Sequence, residues 1–159
     1  MFEKILIANR GEIACRVIDT AHRLGIATVA IFSDADRDAR HVALADEAHP
    51  IGPPPALESY LRGGAIVEVA LACGATAIHP GYGFLAENAG FARACADNRI
   101  AFIGPAPETI EAMGDKAKAK ALAAKAGVPV LAGYDGAQDN DAMAQAAQEI
   151  GRASCRERV

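Results

Sequence analysis

Four short apolar runs set most of what this chain can become. Residues 4–8 (Lys-Ile-Leu-Ile-Ala), 27–32, 76–79 and 100–103 are continuous rather than alternating, so they read as strands buried on both faces. Each stops at a turn: Asn9-Arg10-Gly11, Ser33-Asp34-Ala35-Asp36, Pro80-Gly81 and Gly104-Pro105. Between the runs the spacing changes to that of helices. Ile13, Val17, Ala21 and Leu24 share one helical face, and Gly25 closes it. Further helices are predicted over 64–73 and over 88–98, the latter with Phe91 and Cys95 on one side. A short helix over 39–45 and a weak strand near 48–51 complete the pattern, and Pro53-Pro54-Pro55 forces an extended connection. Strands alternating with helices predict an α/β fold, a parallel sheet covered on both faces.

Such sheets bind ligands beyond the carboxyl ends of their strands. The four turns named above should therefore lie along one edge. The first domain closes by about residue 105. Residues 109–113 and 116–126 read as helical segments meeting at Gly114, followed by a short strand at 128–130 and an amphipathic helix over 139–150. That last stretch looks like the start of another domain, and 159 residues suit one domain plus part of a second.

Composition excludes several classes of function. A net charge of −4 with no basic stripe argues against a nucleic-acid surface. The first apolar run is far too short for a signal peptide or a membrane span, which places the chain in the cytoplasm, or in the mitochondrial matrix for a eukaryotic source. Cys15, Cys73, Cys95 and Cys155 are isolated, with no C-x-x-C spacing, so no metal site is predicted. The first three read as small core residues in a reducing compartment.

The motif with most chemical content is Ile78-His79-Pro80-Gly81-Tyr82-Gly83-Phe84-Leu85-Ala86-Glu87-Asn88. Two glycines within three residues let backbone approach a ligand where a Cβ would block it. The turn either links strand to helix or touches a ligand, and Tyr82 between the glycines is exposed to the sheet edge. His79 reads as a hydrogen-bonded structural residue. The first strand-turn-helix unit offers only Gly11, where a dinucleotide fingerprint needs three glycines, and Walker A spacing is absent. Arg10 and Glu12 are equally readable as a local ion pair or as ligand contacts. Lys116 lies among Lys118, Lys120 and Lys125, a pattern typical of a solvated helix face, although the bend at Gly114-Asp115 could aim it at a phosphate.

Taken together, residues 5–14 (ILIANRGEIA), 28–37 (TVAIFSDADR), 45–47, 77–88 (AIHPGYGFLAEN) and 102–116 (FIGPAPETIEAMGDK) resemble the N-terminal domain of biotin carboxylases. The likeness runs from Phe2 to about Gly151. The wording at Cys15-Arg16-Val17-Ile18 and Ser33-Asp34-Ala35-Asp36 is similar to the propionyl-CoA and methylcrotonyl-CoA carboxylase α subunits. The resemblance implies a Rossmann-like domain over residues 1–114 and an incomplete start of an ATP-grasp lid over 115–151. Residues 152–159, with three arginines and one glutamate, do not follow the family. The implied reaction uses MgATP (or MnATP) and bicarbonate to make carboxyphosphate, which carboxylates biotin on a carrier domain. The implied partners are that carrier, a carboxyltransferase subunit and a second copy of the chain, with no nucleic acid and no membrane.

Carried over residue by residue, Lys116 would contact ATP phosphates, Tyr82 and Gly83 would border the biotin and bicarbonate pocket, and Arg16 would sit at a homodimer interface. Asp19 and Arg23 beside Arg16 depart from the charges of the acetyl-CoA branch, which weakens the case for a dimer of that type. No catalytic residue and no magnesium ligand is implied within these 159 residues, so the chain alone is expected to be inactive and to bind ATP weakly. Two alternatives stay open: a stand-alone Rossmann-like or flavodoxin-like nucleotide-binding module, and the N-terminal domain of another ATP-grasp enzyme such as carbamoyl-phosphate synthetase.

Overall fold

The computed structural model describes residues 2–131 and 139–150, with side chains to residue 148. They fall into two compact units that divide between Gly114 and Asp115. In the first unit, strands β1 (Lys4–Ile7), β2 (Ala27–Ser33), β3 (Glu47–Gly52), β4 (Ala77–His79) and β5 (Ala101–Phe102) form one sheet. Helices α1 (Gly11–Arg23), α2 (Arg40–Leu44), α3 (Gly63–Cys73), α4 (Ala89–Asp97) and α5 (Pro107–Gly114) surround it. All pairings are parallel and the strand order is β3-β2-β1-β4-β5. The second unit carries α6 (Lys116–Lys125) and α7 (Asn140–Ile150).

The central strand shows why continuous apolar runs were needed. Successive β1 side chains point to opposite faces. Leu6 and Ala8 join Val29, Ile31, Ile66, Ile78 and Phe91 on one side. Ile5 and Ile7 join Ala14, Ile18, Ala21 and Ala77 on the other. Leu6, Ile7, Val29 and Ile78 are fully buried. Neither face of β1 meets water, so a polar alternation would have left charges in a core.

Residues 128–130 do not form the predicted strand. The turn at Ala126 and Gly127 closes α6, with the Gly127 and Val128 amides donating to Ala124 and Ala123 carbonyls. Strands exist by pairing, and no partner strand for this segment is present among the described residues. The predicted non-family tail, 152–159, lies outside those residues. No helix among them is long and apolar enough to cross a membrane.

His41 on α2 is fully buried, its Nε2 3.2 Å from the Ile31 carbonyl oxygen, while Nδ1 has no partner. A carbonyl can only accept, so the proton sits on Nε2. A second proton would add a charge and an unanswered donor to the core. Burial holds the His41 pKa below the usual 6.5, despite the Ile31 bond and Asp36, and burial does the same at His79. Below about pH 6.5 the unfolded chain takes up protons that the folded chain refuses. Stability is therefore fully present above 6.5 and is lost as pH falls, by at most about 1.4 kcal/mol per pH unit for each histidine. Urea unfolding followed from pH 7 to 5 should show a falling midpoint that flattens in His41→Gln. A midpoint unchanged over that range would contradict this account.

Candidate functional site

The order β3-β2-β1-β4-β5 puts β2 and β3 on one side of β1, and β4 and β5 on the other. A crevice opens where the winding reverses, beyond the carboxyl ends of β1 and β4. Asn9 bridges it. This residue is 3% exposed, and its Nδ2 donates to the carbonyl oxygens of Pro80 at 2.8 Å and Tyr82 at 2.9 Å. Its Oδ1 accepts from the Arg10 amide at 2.9 Å. One amide side chain thus fixes the glycine turn after β4 to the end of β1.

Gly81 has φ +68°, and a Cβ there would lie 2.7 Å from Asn9 Nδ2. Gly83 has φ +65°, but no atom lies within 4 Å of the corresponding position. The first glycine therefore admits Asn9, and the second leaves backbone open to an approaching group. Tyr82 is 64% exposed between them, its hydroxyl 3.5 Å from Glu12 Oε2 on α1. His79 serves the turn: Nδ1 accepts from the Gly81 amide at 3.0 Å, which leaves the ring proton on Nε2.

Arg10 does not pair with Glu12, because residues two apart at a helix start do not face each other. Its Nη1 lies 3.2 Å from Asp36 Oδ2, and its guanidinium stands over the rings of Tyr60 (5.5 Å) and Phe84 (5.9 Å). Those rings stack at 5.3 Å. Asp36 Oδ2 also accepts from the Tyr60 hydroxyl at 2.8 Å and from Ser33 Oγ at 2.9 Å. Partial burial pushes the Asp36 pKa up, but the Tyr60, Ser33 and Arg10 contacts outweigh it and hold the carboxyl below its usual 3.8. Burial pushes the Tyr60 phenol up to about 12, so it stays a donor. This hub joins the ends of β1 and β2 to Phe84 beside the glycine turn.

Arg16 lies one turn along α1 from Glu12. It lines a groove of about 980 Å³ with Gly11, Glu12, Asp19, Arg23 and Arg40. Lys116 opens α6 in the second unit, after Asp115, whose Oδ1 accepts from the Ala117 and Lys118 amides and caps the helix. The structure thus brings Tyr82 and Gly83 together at one crevice, with Arg16 on the helix that begins there. Asn9, Asp36 and Tyr60 were not singled out from sequence. An amide ending an apolar run was the available signal for Asn9; nothing local marked the other two.

The cysteines also differ from expectation. Cys95 is buried, but Cys15 and Cys73 are only partly so. One donor atom from each of Glu47, His49 and Cys73 lies within 4.8 Å of the others, a grouping invisible to spacing rules because Cys73 is far along the chain.

The family model described as biotin carboxylase, N-terminal domain, matches residues 1–110. The mitochondrial methylcrotonoyl-CoA carboxylase subunit alpha of Oryza sativa subsp. japonica is 59% identical over 150 residues, 94% of this chain and 20% of that protein. The biotin carboxylase domain dimer of Hydrogenobacter thermophilus 2-oxoglutarate carboxylase, solved with MgADP, ADP and bicarbonate, gives a TM-score of 0.88. It is 54% identical, across 94% of this chain and 33% of that one. Campylobacter jejuni biotin carboxylase in its βγ-ATP complex gives 0.89 at 45% identity, across 95% and 34%. The chain spans a fifth to a third of the length of these relatives. With the family model covering residues 1–110 and the parallel sheet matching that of solved carboxylases, the chain belongs to the biotin carboxylase family, whose N-terminal domain it represents.

Proposed function

We propose that this chain is the N-terminal part of an ATP-dependent biotin carboxylase acting within an acyl-CoA carboxylase of the methylcrotonyl-CoA or propionyl-CoA type. The observation that carries the site assignment is the open backbone at Gly83, held in place by Asn9 at the sheet's switch point. Tyr82 and Gly83 border the pocket for biotin and bicarbonate. Lys116 meets ATP phosphates as a point charge from the start of α6. Arg16 faces a second copy of the chain. MgATP, when bound, supplies the activation of bicarbonate, and biotin arrives on a carrier domain. Residues 1–114 form the Rossmann-like domain, and 115–151 begin the ATP-grasp lid. A carboxyltransferase subunit completes the complex, in the mitochondrial matrix for a chain related to the plant enzymes.

The residues present fit binding better than catalysis. An open glycine turn admits a ligand and one lysine offsets one charge, whereas phosphoryl chemistry needs several cationic groups and metal around the phosphates. We therefore expect isothermal titration of the 159-residue chain with MgATP to show dissociation weaker than micromolar, and no turnover. Co-expression with the remaining two thirds of a related biotin carboxylase should restore biotin carboxylation. Tyr82→Ala should then reduce it about tenfold, the scale of losing one positioning contact. Micromolar MgATP binding by the chain alone, or restored activity indifferent to Tyr82, would overturn these assignments.

A further inference from the structure

We propose that Glu47, His49 and Cys73 form a binding site for a single zinc-class divalent ion, remote from the glycine turn. Glu47 and His49 are two apart on β3, so both side chains leave the same face of an edge strand. Cys73 ends α3, whose terminal carbonyls favour a nearby cation. One donor atom of each residue lies within 4.8 Å of the other two, and all three residues are partly exposed. Tetrahedral zinc, with bonds of about 2.0–2.3 Å, sets its ligands about 3.3–3.7 Å apart. Glu47 Oε1 and His49 Nε2, 2.6 Å apart, need to open by about an ångström and Cys73 to close by about as much, which side-chain rotation covers. Imidazole, thiolate and one carboxylate oxygen select zinc or cobalt over magnesium or calcium, which take oxygen ligands. A fourth position is left to water.

Lys4 determines how the ion would be held. Its Nζ donates to Glu47 Oε2 at 3.1 Å and to the Cys73 carbonyl at 2.8 Å. It therefore ties the strand and the helix end together and already occupies one carboxylate oxygen. The other, Oε1, lies 2.6 Å from His49 Nε2. In the ion-free site a proton joins that oxygen and nitrogen. The metal replaces that proton: neutral imidazole moves its N–H to Nδ1, and the Cys73 thiol releases its proton to solvent. Lys4 then becomes the outer contact that orients the carboxylate, a role whose loss typically weakens metal binding 10–100-fold.

The test is titration of the 159-residue chain with cobalt chloride, followed by zinc chloride. One equivalent of cobalt should raise a thiolate-to-cobalt charge-transfer band together with intense visible bands of tetrahedral cobalt, and zinc should abolish both. Cys73→Ser should remove the charge-transfer band, whereas Cys15→Ser and Cys155→Ser should not. His49→Ala should weaken binding at least about tenfold, and Lys4→Met by about tenfold or more. Because a variant can fail to fold, alkylation of the unaltered chain is mapped by mass spectrometry as well. Zinc should slow modification of Cys73 at least tenfold and leave Cys15 unchanged. Absence of the band at millimolar cobalt, its survival in Cys73→Ser, or unprotected Cys73 would each overturn the site.

Discussion

Substituting Gly81 by Ala is expected to destabilise the sheet domain by about 3 kcal/mol, and Gly83→Ala by only about 1. Both glycines hold left-handed backbone, at φ +68° and +65°. That conformation costs an L-residue roughly 1–2 kcal/mol, a charge common to the two substitutions. They differ in what a methyl group meets. At position 83 it enters open space; at 81 it meets Asn9 Nδ2 at 2.7 Å and Asn9 Cβ at 3.0 Å. Asn9 is buried, so it must give up its bonds to Pro80 and Tyr82, each contributing about 1 kcal/mol. In a background already carrying Asn9→Gly, which removes the Cβ as well as the amide, Gly81→Ala should therefore cost only the backbone strain, a coupling of about 2 kcal/mol in a double-mutant cycle. Urea unfolding by circular dichroism measures all four chains. Equal costs at 81 and 83 would mean that Asn9 does not oppose the turn. In a reconstituted carboxylase the ranking should reverse, with Gly83→Ala losing more activity than stability, since its methyl would fill the space a ligand approaches.

That contrast also shows where sequence reading reached its limit. The strands, the helices, the parallel order and the shared carboxyl edge were legible because they follow from apolar runs, helical periodicity and turn residues, which are local. The importance of the turn at 79–83 was legible for the same reason. Asn9, by contrast, acts on carbonyls more than seventy positions away. Asp36 gathers donors from the turn after β1, from β2 and from the segment before α3, and no spacing rule anticipates that. The failures had physical causes as well. Residues 128–130 carry strand-like composition, but composition cannot supply a neighbouring strand. Arg10 and Glu12 were a plausible pair by charge, yet the aromatic faces of Tyr60 and Phe84 with the Asp36 carboxylate offer Arg10 more. Cys73 read as a core residue because Ala-rich helices bury one face; it does pack against the core beside buried Ala70, but at the helix end it is only partly covered.

The other large effect is expected at Asp36. Removing its carboxylate in Asp36→Ala strands three donors at once: the Tyr60 hydroxyl, Ser33 Oγ and Arg10 Nη1. Tyr60 is 1% exposed, so its hydroxyl finds no water in exchange. Hydrogen bonds to a charged acceptor contribute about 1.5–3 kcal/mol each, but Arg10 is half-exposed and regains hydration. The expected loss is about 3 kcal/mol, with Asp36→Asn recovering part because an amide oxygen still accepts. Titration gives an independent check. A carboxyl held below its usual 3.8 stabilises the fold above that pH, and the benefit fades as pH falls through the lower folded value. The gap between the unaltered chain and Asp36→Asn should thus narrow below about pH 4.5. Between pH 7 and 5 it should hold or widen, because Asp36 supports the His41 charge and its loss deepens the histidine effect. A gap that narrows already between pH 7 and 5 would place the charge dependence elsewhere. The consequence for the site is geometric: with Asp36 gone, Arg10 loses its anchor between Tyr60 and Phe84, and Phe84 is the next residue after Gly83. A change in Tyr82 or Gly83 amide chemical shifts in Asp36→Ala, absent from a core variant of similar stability such as Ile66→Ala, would show that the hub positions the turn as well as the sheet.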